Sequence, residues 1–239
     1  MNDLLDRVIA RHGGLERWSK ATLLECDMSI TGPTWSRKGW PDVLKAVHVS
    51  AHAQDQWISY RPFTGEDKRS RCTPAHTIIE TLDGQLLKER HDPRSAFESH
   101  TMATQWDDLH LAYFSGYAMW NYLTTPFLLA GQGFAVEELP PCRDAGEERR
   151  RLKVGFPRAI ATHCPEQVFY VDDNDLIARL DYVSEVSGGV RAAHYLSDYR
   201  DFSGIKVATK RRAYVRNPDD TPNLDRPLVA IDIAAIQIT

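Results

Sequence analysis

Paired cysteines are missing from this 239-residue chain: Cys26, Cys72, Cys142 and Cys164 lie far apart, and no CxxC occurs. That spacing argues against a zinc ribbon and a thioredoxin-like redox site, and leaves free thiols as the expectation. Also missing are a GxSxG elbow, a P-loop, a GxGxxG turn and an HExxH helix. Nothing therefore supports nucleotide, dinucleotide or zinc-protease chemistry, and no cofactor is expected. Neither sign of charge dominates: 29 Lys and Arg stand against 33 Asp and Glu, for a net charge of −4. Such a balance gives no basic footprint for nucleic acid. The short basic runs Arg149, Arg150, Arg151, Lys153 and Lys210, Arg211, Arg212 read as solvated strand faces. The opening MNDLLDRVIARHGG has no apolar run longer than Val8 to Ala10 and so lacks the core of a secretory signal. The expected location is the cytoplasm.

One long stretch has no ionisable acid, base or histidine. It runs for 26 residues from Leu111 to Val136, and seven of them are aromatic. A membrane span needs about 20 apolar residues, but Ser115, Gly116, Asn121, Thr124, Thr125 and Pro126 interrupt this one. Acidic pairs also flank it, Asp107 with Asp108 and Glu137 with Glu138, where a positive-inside bias would be expected. The reading is no transmembrane segment but an internal helix buried on most sides, starting near Trp106 and broken around Thr125-Pro126.

On either side of that helix the apolar period is two. Leu24, Cys26, Met28 and Ile30 alternate with Leu23, Glu25, Asp27 and Ser29, the pattern of a half-buried strand. Further strands are predicted at 45–53, 56–60, 77–82 and 85–89, the last two joined across Asp83-Gly84 as a two-residue hairpin turn. After the helix the strands predicted are 149–154, 167–171, 176–186, 191–200, 206–215 and 228–238, with turn residues between them. Short links between consecutive strands imply an antiparallel meander. The expected fold is mainly β, within α+β. It is a curved antiparallel half-barrel of about nine to eleven strands, with the central buried helix closing its concave face.

Two segments carry a family resemblance. The run His12-Gly13-Gly14-Leu15-Glu16-Arg17-Trp18 follows a short helix at 3–11. The run Asp198-Tyr199-Arg200-Asp201-Phe202-Ser203-Gly204-Ile205 lies between two strands. Both resemble segments of the LolA/LppX-like lipoprotein-carrier superfamily, and the strand order agrees over the whole chain. The resemblance implies one LolA/LppX-like domain over residues 1–239: a curved half-barrel with helices closing its mouth and acyl chains carried in its cavity. Those carriers are exported, whereas this opening shows no export signal.

Candidate site residues cluster at the start of the charge-free helix. Trp106, His110, Tyr113, Tyr117 and Trp120 recur at intervals of four, three, four and three, which sets them on one helical stripe. Large aromatics with polar tips suit a pocket that is apolar in body and selective at a few points. The leading expectation is that this stripe binds an apolar or amphipathic, lipid-like small molecule; plain core packing is the alternative for the same residues. The segment 90–110 also holds three of the nine histidines, His91, His100 and His110, among Asp92, Arg94, Glu98, Asp107 and Asp108. A second expectation is therefore a cofactor-independent enzyme. In it His110 acts as acid or base, Asp107 orients His110, and Arg94 or His100 holds an anionic substrate group. Intervals of nine and ten residues between these histidines match no standard zinc spacing, so no metal is expected. In the dipeptide His194-Tyr195, strand alternation sends one side chain to each face, so only one can enter a cavity.

Overall fold

The computed structural model describes residues 2–239. The first half of the chain runs α1 (Asp3–His12), α2 (Leu15–Trp18), β1 (Leu23–Thr31), α3 (Pro33–Arg37), β2 (Val47–His52), β3 (Ile58–Arg61), β4 (Lys68–Cys72), β5 (His76–Thr81) and β6 (Leu86–His91). The long helix α4 (Asp108–Thr124) follows. The second half runs β7 (Ala135–Asp144), β8 (Glu147–Gly155), β9 (Glu166–Val171), β10 (Ile177–Ser184), β11 (Val190–Phe202), β12 (Ile205–Arg216), β13 (Pro222–Asn223) and β14 (Val229–Ile238).

All the strands form one antiparallel sheet in the order β6-β5-β4-β3-β2-β1-β14-β12-β11-β10-β9-β8-β7, with β13 paired to β12 off this path. The first meander leads outward from β1 to one edge. The second leads inward from the other edge to β14, which zips onto β1 from Leu24↔Ile238 to Thr31↔Ala230. Because β6 and β7 stand at opposite edges, the chain between them has to cross the whole sheet. That crossing is α4, and a helix with no acid or base beyond its first residue, Asp108, apart from His110, suits it: from Leu109 to Thr124 only His110 is not buried. The mainly β half-barrel with a central buried helix is what the sequence implied.

Three strands escaped the sequence reading, which is why the sheet has fourteen. In β4 (KRSRC) Ser70 and Cys72 point inward, while Arg69 and Arg71 clamp the buried Glu80 of β5 at 2.5 and 2.8 Å. β7 carries Pro140-Pro141, tolerable because it is an edge strand with a register shift there. The Asp83-Gly84 turn forms, but with a register shift at Ile79/Glu80 rather than as a plain two-residue turn.

The two family-like segments lie 185 residues or so apart in sequence and meet in space. The His12 ring stands edge-on to Tyr199 with centroids 5.4 Å apart, and Arg17 Nη1 donates to the Ser203 carbonyl. Gly13 ends α1 at φ +128°, and a Cβ there would run into the Gly204 carbonyl. The two segments thus dock α1 and α2 on the β11–β12 hairpin.

Candidate functional site

Helix α4 is anchored to one half of the sheet. Its closest packing is on β3, β4, β5 and β6. Tyr60 Oη donates to the Ser115 carbonyl at 2.9 Å, and Gly116 lets the helix backbone settle against Cys72 and Ile58. Toward β10, β11, β12 and β14 the helix stands off, and a slot opens there. Its outer part, with free room of about 40 Å³, passes Arg37, Lys38, Met102 and Val190. Its inner part, with free room of about 40 Å³, passes Trp35, Ala118, Met119, Tyr122 and His194. Phe114, Tyr182, Ala213 and Val229 border both parts, so they form one tract.

The wall that α4 presents to this slot is Phe114, Ser115, Ala118, Met119 and Tyr122. The five residues singled out from sequence are distributed otherwise. Trp106, His110 and Tyr113 pack around Phe97, at ring separations of 5.6, 4.7 and 5.8 Å. Tyr117 reaches His163, and Trp120 Nε1 donates to the His52 carbonyl at 2.8 Å. Of the five, Tyr113 borders a separate open cleft beside Arg94, and Trp120 borders another beside Phe127.

The polar groups beside α4 are committed to structure. Asp107 is the N-cap: its Oδ1 accepts the His110 amide at 2.8 Å, and Arg90 grips the carboxylate at 2.6 Å. His110 Nε2 lies 3.0 Å from the Ala96 carbonyl, and Nδ1 lies 2.7 Å from Asp107 Oδ1 and 3.3 Å from the Asp107 amide, closing a capping box. Arg94 donates to the Thr162 carbonyl at 2.8 Å and to Glu185 at 2.5 Å. The His100 ring packs on Phe97 and His110, and burial lowers its pKa. Asp107 and His110 meet as a pair, whereas Arg94 is turned to Glu185.

Sequence reasoning missed the polar cluster under the slot. His163, from the loop between β8 and β9, takes Tyr117 Oη on Nδ1 at 3.1 Å and Tyr122 Oη on Nε2 at 2.7 Å. Tyr122 Oη is 3.1 Å from Tyr182 Oη, and the Tyr182 ring stacks on His163 at 4.0 Å. Burial, reinforced by the Arg94 charge, drops the His163 pKa to about 3, and burial pushes the Tyr117 and Tyr122 hydroxyls well above 10. At neutral pH the cluster is uncharged and holds its protons, unlike an acid/base centre, whose pKa sits near the working pH. A single histidine in a polar loop, His163-Cys164-Pro165, gave no signal.

Two further groups bear on the slot. His194 lines its inner part, with Tyr195 on the opposite face as strand alternation requires; both His194 ring nitrogens are buried without a hydrogen-bond partner. Arg211, expected in a solvated face, is buried at 4% exposure and donates to the Tyr122 carbonyl at 2.8 Å. The reason is register: Arg211 shares the concave face of β12 with Ala213, while Lys210 and Arg212 point outward. On that outer face, by contrast, buried charge is balanced: Arg179 binds Asp181 and Asp144, each at 2.7 Å.

Among the described residues one trio offers metal-type donors, His76, Glu89 and His91, within 4.8 Å of one another on the β5–β6 hairpin. The two imidazoles stack at 4.3 Å with planes 2° apart. Their lone pairs therefore run side by side rather than converging as a tetrahedral ion requires.

Neither a family sequence model nor a curated protein sequence matches the chain. Among solved structures, a LolA superfamily protein from Nitrosomonas europaea superposes with a TM-score of 0.51 at 7% identity, over 97% of this chain and 92% of that one. The chain has a LolA-like fold. A DUF1329 family protein from Desulfovibrio piger gives 0.45 at 13% identity over 98% and 91%. Lipoprotein LppX from Mycobacterium tuberculosis gives 0.29 at 11% over 100% and 95%. Among the described residues no helix of this LolA-like fold is long and apolar enough to cross a membrane.

Proposed function

We propose that this protein binds an apolar or amphipathic small molecule in the slot between α4 and the concave face of β10, β11, β12 and β14. The observation that supports this reading is the one-sided seating of α4. Packed closely on β3–β6, the helix leaves a continuous apolar tract on its other flank, with Phe114 and Tyr182 along the whole length. Apolar lining with a few polar groups is the usual make-up of a small-molecule site. The slot is tight, so its occupant is slender, of alkyl-chain width, or α4 shifts outward to admit it. An acid/base reading has no comparable support, since His110 and Asp107 spend their hydrogen bonds on the helix cap.

Native mass spectrometry of protein purified without detergent, followed by organic extraction, tests the reading. A co-purifying apolar or amphipathic molecule is expected. Ligand-free protein that also fails to take up decan-1-ol in a calorimetric titration would overturn it.

A further inference from the structure

A buried guanidinium is expensive unless a counter-charge and hydrogen bonds compensate it. The other buried guanidinium, Arg179, obeys that rule with its two aspartates. Arg211 departs from it. It makes no ion pair among the described residues, its Nε is buried without a partner, and its only hydrogen bond goes to the Tyr122 carbonyl. Its guanidinium carbon lies 5.1 Å from the centroid of the Tyr122 ring, and its cross-strand neighbour in β14 is Ile231. Tyr122 and Ile231 both line the inner slot.

Next to this charge sits a second uncompensated group. His194 is 1% exposed, lines the inner slot and presents two ring nitrogens with no partner. Its ring stands edge-on to Tyr122 at 4.7 Å. The other groups near Arg211 add no negative charge: Tyr122, Tyr182 and Tyr199 all have hydroxyl pKa values raised by burial. His194 is likewise neutral, its pKa lowered first by burial and then by Arg211 itself. The inner end of the slot is therefore lined by one idle hydrogen-bonding imidazole, with one unpaired positive charge behind its Tyr122 and Ile231 walls.

We infer that the occupant of the slot is an anionic amphiphile with a single carboxylate, its head group seated between Arg211 and His194 and its alkyl tail directed past Met119 and Phe114 toward the mouth. The inference rests on the binding reading of the slot given above. One arginine and one neutral histidine match one negative charge; a dianionic phosphate would leave a charge over. A carboxylate would accept from the guanidinium and from the protonated nitrogen of His194, partnering groups that the protein leaves bare.

The test is calorimetric titration at pH 7.5 with three ten-carbon probes below their micelle concentrations: decanoate, decan-1-ol and decylammonium. Wild type is expected to bind decanoate about tenfold or more tightly than decan-1-ol, in keeping with a charge-assisted hydrogen bond, and decylammonium most weakly. Arg211→Met is expected to bring decanoate to the level of decan-1-ol. Arg212→Gln, which removes a like charge on the opposite face beside Asp232, is expected to keep the preference. Equal wild-type affinities for decanoate and decan-1-ol would overturn the carboxylate assignment while leaving the apolar slot standing; no binding of any probe would overturn both. Loss of the preference in Arg37→Gln but not in Arg211→Met would place the head group at the mouth and also overturn it. Should Arg211→Met fail to fold, the three wild-type titrations decide alone.

Discussion

His163 makes the stability of this protein depend on pH in a way that one substitution isolates. In the folded chain its pKa is down at about 3, because burial among Tyr117, Tyr122 and Tyr182 penalises the imidazolium. In the unfolded chain it returns to about 6.5. Between those values the unfolded state binds the extra proton, so stability rises with pH across the window and is lost as pH falls below 6.5. From pH 7 to pH 5 the linkage relation gives a loss of about 2 kcal/mol from this residue alone. His12, lowered to about 4 by burial, adds a loss of similar size in the wild type. His163→Gln keeps a polar side chain that can still meet a tyrosine hydroxyl but cannot titrate. Urea unfolding at pH 7, 6 and 5 should show wild type falling more steeply than the variant, by about 2 kcal/mol over the range. Parallel curves for the two proteins would refute the claim that His163 is buried and neutral.

Three more outcomes follow from the same geometry. Gly116→Ala places a methyl 2.7 Å from Cys72 Cβ; despite the better helix propensity of alanine it should lower stability by about 1–3 kcal/mol, read as a fall in Tm. Asp107→Ala removes the α4 N-cap and should cost about 1 kcal/mol, while decan-1-ol affinity stays the same. His110→Phe leaves the Ala96 carbonyl and the Asp107 amide without their ring partner, so thermal melts should show a lower Tm and titrations an unchanged affinity.

Alternation made β1 legible, since one of its faces is solvated and the other buried: Leu24, Cys26, Met28 and Ile30 all lie at 4% exposure or less. Charge depletion made α4 legible as an internal helix. The same property hid which flank borders the slot, because a helix buried on every side has no polar face to give its orientation. Trp106 and Trp120 looked like pocket residues for their size and spacing, yet the slot runs along Phe114, Ala118 and Tyr122. β4 went unread because its arginines are drawn to a buried glutamate on the neighbouring strand, a partner that only tertiary pairing reveals. Arg211 reads as one member of a basic run, and only the strand register sends it inward while Lys210 and Arg212 remain outside.

Ala213 borders both parts of the slot, so Ala213→Phe fills the tract from the sheet side. Calorimetric titration of this variant with decan-1-ol, alongside its thermal melt, tests the central claim most directly. The account predicts a cooperative melt, with Tm lowered by the crowding of a tight tract, together with loss of decan-1-ol binding. A variant that melts like wild type and binds decan-1-ol as well as wild type would contradict it.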